Sequence, residues 1–328
     1  METIGIPRAL AYYAYYPFWK TVMATLGREL VESGATTKAI LDEGISEACT
    51  DLCVPIKIFF GHVAELKGRV DKIFVPRLVN VSQGDTFCPK FLGLPDMVRY
   101  GMKDLPPLFA PRVDLRKKVR GWVNLARMVA DAFDSSIISV LQGLEKGKRV
   151  QAAYENLLLQ GFTPKEAMEI LETGQKGKVS DPGKEQVGTI ALLGYPYSLY
   201  DDFLNGNLLS RLRALGVKVL TPEMVPEKVL YTKIRSLPKG LFWHFSNRVL
   251  GAGLYYLREV QIDGIVHVSN FACGPDAMVN KLLELEAKKH SCPFLTIGLD
   301  EHTGQAGIHT RLEAFVDMVR WRRQRACE

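Results

Sequence analysis

The hydrophobic positions of this chain change period in a repeating order. "TIGIP" at the start is a short β-rich run, and the "FWKTVMATLGRELVESG" that follows carries apolar residues at helical spacing up to a glycine stop. Much later "VGTIALLGYP" gives a longer apolar strand, then "LYDDFLNGNLLSRLRALGVKVLTPE" gives a helix, a glycine and a second strand, "VKVL". Each half goes on to a helix, an acidic turn and a buried strand: "GHVAELKGRVDKIFVPRLVN" in the first, "GAGLYYLREVQIDGIVHVSN" in the second. Strands alternating with helices need crossover connections, which make the sheets parallel and cover both faces. The pattern predicts an α/β protein built from two duplicated, doubly wound (Rossmann- or flavodoxin-like) parallel-sheet domains, over 1–110 and 184–328.

Between them, over 111–183, periodicity turns continuously helical in "VRGWVNLARMVADAFDSSIISVLQGL", "KRVQAAYENLLLQG" and "TPKEAMEILETG". The last has a threonine cap, a proline at the first helical position and a glutamate in the first turn. This segment reads as a helical insert, closed by the polar linker "GQKGKVSDPGKEQ".

A chain of 328 residues that is 47% hydrophobic and 24% charged is globular and long enough for two cores. No stretch reaches the ~20 apolar residues of a membrane span and no signal peptide opens the chain, so a cytoplasmic protein without a membrane partner is expected. The net charge of +6 falls in short clusters such as "RVDLRKKVR" and "RWRRQR". The latter reads as a solvated helix end complementing its dipole. Without zinc-finger spacing or a basic stripe interleaved with aromatics, no nucleic-acid partner is expected. There is no phosphate-binding G-x-x-x-x-G-K-[ST], and "GAGLYY" starts inside a helical pattern and lacks the third glycine of a dinucleotide site. The aromatics of "LAYYAYYPFW" read as core.

Six cysteines in a reducing compartment leave packing, catalysis or metal binding. Ligands of open parallel sheets collect beyond the carboxyl ends of strands. Cys88 follows "DKIFVPRLVN" and Cys273 follows "DGIVHVSNFA", at equivalent places in the two halves. Cys53 stands before a helix opened by Pro55, and Cys49 lies four residues earlier. Proline or glycine beside Cys53, Cys88 and Cys273 exposes backbone amides, the positive surroundings that thiolates need. Zinc sites carry paired cysteine knuckles or closely spaced histidines, and dispersed cysteines from two domains suit an iron–sulfur cluster better, although spacing leaves the metal open. Cys292 and Cys327 read as non-ligands. Lys57 and His62 lie on the helix after Cys53, either as site groups or as ordinary helix-face residues, and Asp276 favours the start of the helix after Cys273. Asp300, Glu301, His302 and Arg311 follow the strand "PFLTIG", where Glu301 and His302 serve in acid–base work or in a network bracing the cleft.

The set "GIPRAL", "CVPIKIFFGHV", "DKIFVPR", "FCP", "NFACGPDA" and "LDEHTGQAGIHTRLEAFVDM" resembles the 2-hydroxyacyl-CoA dehydratase and benzoyl-CoA reductase superfamily, most of all the dehydratase-like domain found with the ATP-hydrolysing activase. The likeness covers both α/β halves and leaves out most of 111–183. It implies a cubane iron–sulfur cluster, [4Fe-4S] or larger, held by dispersed cysteines in an oxygen-free setting, with low-potential electrons delivered by a partner ATPase. Carried over by position, the implied ligands are Cys53, Cys88 and Cys273. Cys49 lies outside the family pattern and either completes a four-thiolate site or belongs to a larger cluster. The expected function is low-potential electron transfer. Two alternatives stand beside it: a catalytic subunit acting on an acyl-CoA or other small molecule, with Glu301 and His302 as its acid–base pair, and a non-redox assembly or binding protein. Homodimerisation is a further implication of the resemblance.

Overall fold

The computed structural model describes residues 2–82, 84–177 and 186–326. The chain divides into two compact units, one of residues 1–156 with 242–244, the other of 157–241 with 245–328. The linker expected over 174–186 falls largely outside the described residues, as does Cys327.

The first unit opens with β1 (Thr3–Ile6), α1 (Tyr12–Thr25), β2 (Glu29–Glu32), α2 (Lys38–Glu47) and α3 (Val54–Leu66). It continues through β3 (Lys72–Phe74), β4 (Arg77–Asn80), α4 (Pro89–Gly101), β5 (Leu108–Phe109), β6 (Arg112–Asp114), α5 (Lys118–Phe133) and α6 (Ile137–Leu159). Its sheet has the order β2-β1-β3-β5, with every pair parallel. β4 and β6 prolong β3 and β5 beyond Pro76 and Pro111 as a separate parallel pair. A proline has no N–H for the ladder, which is why one pairing is cut into two. Val75 and Arg77 still donate across the gap to the carbonyls of Phe109 and Pro111, at 2.9 and 3.0 Å.

The second unit holds α7 (Pro164–Thr173), β7 (Gly188–Leu193), α8 (Pro196–Leu199), α9 (Asp202–Asn205), α10 (Leu208–Ala214) and β8 (Val217–Leu220). Then come α11 (Glu227–Arg235), α12 (His244–Glu259), β9 (Gly264–Asn270), α13 (Gly274–Lys289), β10 (Phe294–Leu299) and α14 (Gln305–Ala326). The order β8-β7-β9-β10, again all parallel, repeats that of the first unit strand for strand. The expected parallel α/β architecture is therefore present. Ile190 to Leu193 and Ile265 to His267 are consecutive buried residues, the mark of strands covered on both faces.

Local chemistry explains several boundaries. Helix α1 stops before Gly27, at φ 67°, and residues Glu29–Glu32 form β2, so the run expected as one helix holds a helix and a strand. Tyr12, Tyr13, Tyr16, Phe18 and Trp19 of α1 are buried core, as expected. In the helical segment Asp134, left-handed at φ 46°, ends α5, and α6 then runs unbroken through "GLEKGK". Gly143 and Gly147 in that stretch lie against Thr25, Val22 and Phe18 of α1, where an added Cβ at Gly147 would stand 2.9 Å from Phe18. Helix α7 has the full capping box, Thr163 and Glu166 each satisfying the other's backbone N–H, and ends at Gly174 with φ 70°.

Helices α2 and α3 touch backbone to backbone. A Cβ built on Gly44 would meet the carbonyl oxygen of Lys57 at 2.0 Å, and one on Gly61 would meet that of Ile40 at 1.9 Å. This contact fixes how closely α2 and α3 approach, and Cys53 is the residue just before α3. Gly61→Ala should lower the unfolding free energy by about 3 kcal/mol through overpacking against a main-chain atom that cannot rotate away. Gly93→Ala, whose nearest foreign atom would be the flexible Met97 sulfur at 3.7 Å, should cause no loss, and urea unfolding of both variants checks the difference.

Candidate functional site

Three cysteines share one local geometry. Cys53 is the N-cap of α3 (φ −65°, ψ 149°), Cys88 of α4 (φ −63°, ψ 159°) and Cys273 of α13 (φ −99°, ψ 98°), each with proline at the first or second helical position. Proline fits there because its φ is pre-set and its missing N–H would have lacked a partner. The first turns close through main-chain bonds onto the cysteine carbonyls, Ile56 to Cys53 at 2.9 Å, Phe91 to Cys88 and Ala277 to Cys273 at 3.0 Å each. No thiol caps its own helix. Ser, Thr, Asp or Asn would be the stabilising choices at an N-cap, so cysteine at all three is a departure from what helix stability favours.

Cys88 and Cys273 occupy corresponding places in the two units, each in the loop between the third strand direction, β3–β4 or β9, and the next helix. In a 2-1-3-4 order that loop borders the crevice where the connections part to opposite sides. Cys53 has no such counterpart, since the equivalent helix α12 begins at His244.

Cys53 and Cys88 lie within electrostatic reach of one another in the first unit. Burial, with a smaller contribution from Cys88, pushes the Cys53 thiol up to about 11, against the pull of the Ile56 amide and the Lys90 ammonium. Burial also raises Cys88, opposed by the amides of Phe91 and Lys90 and by the Lys90 charge. Without a cation the two are therefore neutral thiols at the positive ends of two helices, and a bound metal would displace their protons. That donor pair fits thiolate ligation of iron. Cys49 is exposed in the loop before α3, and Cys273 belongs to the second unit. None of Cys49, Cys53, Cys88, Cys273 and Cys292 forms a disulfide. Among the described residues no group of three or more His, Cys, Asp and Glu side chains is gathered closely enough to hold a metal ion.

The remaining residues singled out from the sequence divide into bracing groups and exposed ones. Lys57 is buried, and His62 is wholly buried with its Nε2 3.0 Å from the Thr36 hydroxyl. Its Nδ1 has no hydrogen-bond partner, and burial, helped by the Arg8 charge, holds the imidazole down at about 4. Asp276 does more than favour a helix end. Its buried carboxylate accepts the backbone N–H of Asn270 at 2.8 Å, so the end of β9 is tied to the first turn of α13 on either side of Cys273. Ser198 bonds Asn270 in turn, and His267 Nε2 stands 3.3 Å from Asp276 without the alignment of a hydrogen bond. Asp300 accepts from the His302 amide and the Thr303 hydroxyl, 2.8 and 2.7 Å, which shapes the loop after β10 and leaves the His302 side chain exposed. That loop neighbours the Cys273 loop, because Phe271 donates to the carbonyl of Leu299 at 2.8 Å. Arg311 donates to the Thr296 carbonyl.

One cluster has no precedent in the sequence reading. His244 lies 3.4 Å from the Asp85 carboxylate and 3.4 Å from the Tyr15 hydroxyl, and its ring packs on Phe87, next to Cys88. It is delivered by a short parallel bridge between Thr86 and Trp243. The acidic residue three positions before Cys88 was the available signal. The histidine, 229 residues from Tyr15, had none.

Residues 3–225 match the family model described as the CoA enzyme activase uncharacterised domain (DUF2229), and residues 247–319 match that of the 2-hydroxyglutaryl-CoA dehydratase D-component. No curated protein matches the chain. Among solved structures, the C-terminal domain of glucosamine-fructose-6-phosphate aminotransferase from Francisella tularensis is 9% identical over 98% of this chain and 85% of that one, with a TM-score of 0.22. A likeness at that level carries no functional argument. Among the described residues no helix is long and apolar enough to cross a membrane.

Two measurements follow. Because the folded pKa of His62 is about 4 against an ordinary 6.5, the unfolded chain binds a proton that the folded chain refuses between those values. Stability should thus fall as pH drops from 6.5 toward 4, by on the order of 3 kcal/mol, and be unaffected by this group above that window. Urea unfolding at pH 5 and pH 7 should show His62→Gln losing less than the parent. In metal-free reduced protein near neutral pH, iodoacetamide should modify exposed Cys49 well before Cys53 and Cys88, as read by peptide mass spectrometry, with Cys53 becoming reactive only as pH nears about 11.

Proposed function

Because the chain belongs to the family of the CoA enzyme activase uncharacterised domain, we propose that it is an iron–sulfur redox component that accepts low-potential electrons from an ATP-hydrolysing activase. The observation that carries this reading is the recurrence of cysteine at the N-caps of α3, α4 and α13, where a hydroxyl or carboxylate would have made the more stable helix. The dehydratase D-component match over residues 247–319 contains the third of these. An iron–sulfur cluster, when bound, supplies one-electron chemistry at a potential set by its surroundings. Cys53, Cys88 and Cys273 are the proposed ligands, with Cys49 as a fourth.

The chain's own groups have definable tasks in this scheme. The amides of Ile56, Phe91 and Lys90 stabilise negative charge on sulfur, and Lys90 adds a cation. Phe87 and Phe91, 1% and 2% exposed, keep water from the Cys88 turn and hold the local dielectric low. With no phosphate-binding loop of the P-loop type in the sequence, ATP hydrolysis is assigned to the partner. Free thiols at these positions accord with a reducing, cytoplasmic compartment.

A second reading, catalysis on an acyl-CoA thioester, is favoured by one observation: Glu301 and His302 stand in the loop beside that of Cys273. There they would hold or deliver a proton at the substrate.

Iron and acid-labile sulfide counted on protein purified without oxygen test the proposal. A brown protein is expected, with iron lost on Cys53→Ser, Cys88→Ser or Cys273→Ser and the outcome of Cys49→Ala deciding its role. Colourless, iron-free protein, or full iron in all three serine variants, would overturn the assignment. A change in the EPR signal of the reduced protein on adding an acyl-CoA would favour the catalytic reading over a relay.

A further inference from the structure

A second cluster lies at the carboxyl ends of β1 and β2, and it needs no iron. Arg8 follows β1. Its backbone N–H donates to the hydroxyl of buried Ser33 at 2.8 Å, which ties it to the loop after β2. Its guanidinium rests 5.8 Å from the centre of the Tyr12 ring, and among the described residues no carboxylate or carbonyl partners it. The nearby carboxylate of Glu32 is already engaged by the hydroxyls of Tyr12 and Tyr16. Arg8 is half-buried, so a charge partly withdrawn from water is held against a ring face without a carboxylate to balance it.

Its neighbours are polar as well, with one carboxylate at the rim, Glu65, which accepts the Gly34 amide at 2.9 Å. Wholly buried His62 lies within the electrostatic reach of Arg8, and its Nδ1 has no partner. The loop "SGATT" from Ser33 to Thr37 is small and polar, with Gly34, Ala35 and Thr37 exposed, and Thr36 is hydrogen-bonded to His62. Thr37 caps the ten-residue helix α2 by accepting the Ile40 amide, which leaves the first two amides of that helix, those of Lys38 and Ala39, without an intrahelical acceptor. A guanidinium, hydroxyls and a helix N-terminus together supply more donors than one carboxylate can accept, and they suit a tetrahedral oxyanion.

We infer that Arg8, the Ser33–Thr37 loop and the start of α2 form a binding site for the phosphate group of a small-molecule ligand, with His62 as its buried floor. The site goes beyond the redox reading and is independent of it, since none of its members is a proposed iron ligand.

Calorimetric titration of the full-length protein with inorganic pyrophosphate, and with inorganic phosphate in a parallel arm, tests the inference. Saturable binding of one pyrophosphate per chain is expected, weakened at least about tenfold by Arg8→Gln and less by Arg8→Lys. In the unaltered protein the imidazole resonance that is missing from His62→Gln should move on adding pyrophosphate, a readout that stands even if Arg8→Gln does not fold. Absence of binding, equal binding by Arg8→Gln, or a His62 resonance that stays in place would each overturn the inference. The titration is run on iron-free and iron-containing protein. Equal affinity is expected, and binding lost with the iron would overturn an independent site, whereas iron content alone judges the redox proposal.

Discussion

A parallel strand can follow another only if the chain crosses back over the sheet, and that constraint governs this protein. Every crossover helix leaves from the carboxyl edge of its sheet, so its unpaired amides and the positive end of its dipole face that edge. Both units obey it with the same 2-1-3-4 order. Cys88 and Cys273 sit at such helix starts as a direct result, Cys53 caps α3, the second helix of the crossover from β2 to β3, and Arg8 and Ser33 stand at the carboxyl edge of the first unit. The fold supplies the polarity, and the sequence chooses which side chains to place in it.

Much of this was legible because its causes are local. Most strand and helix periods, proline after cysteine, and the Thr163 to Glu166 box act over a few residues, and these were found where the pattern put them. The duplication was legible from matched segment order alone. What escaped depended on contacts between distant segments. The two glycines of α6 look like helix breakers until α1 is laid against them, and "RELVE" joins a strand only because β1 offers an edge. Placing His244 beside Asp85 requires the bridge between Thr86 and Trp243, which no periodicity announces. The hydroxyl partner of His62 was likewise invisible, since Thr36 belongs to a different loop.

The polar groups near the cysteines are held in two different ways. In the second unit one oxygen of Asp276 accepts from Asn270 and so braces the turn that presents Cys273. In the first unit the thiols themselves are desolvated and kept neutral, and His62 is kept neutral further along α3. One arrangement makes a rigid presenting turn, and the other keeps titratable groups poised without charge.

The prolines that cut the β3–β5 pairing have a further effect at the margin of the sheet. The outermost strand there is two residues long, preceded by Pro106 and Pro107 and followed by Pro111, while the opposite margin, β2, opens with exposed Glu29. A foreign strand approaching either side meets missing donors or negative charge. The first sheet is thereby closed to growth by chain-to-chain stacking, and copies of the protein at high concentration are kept from zipping together through it.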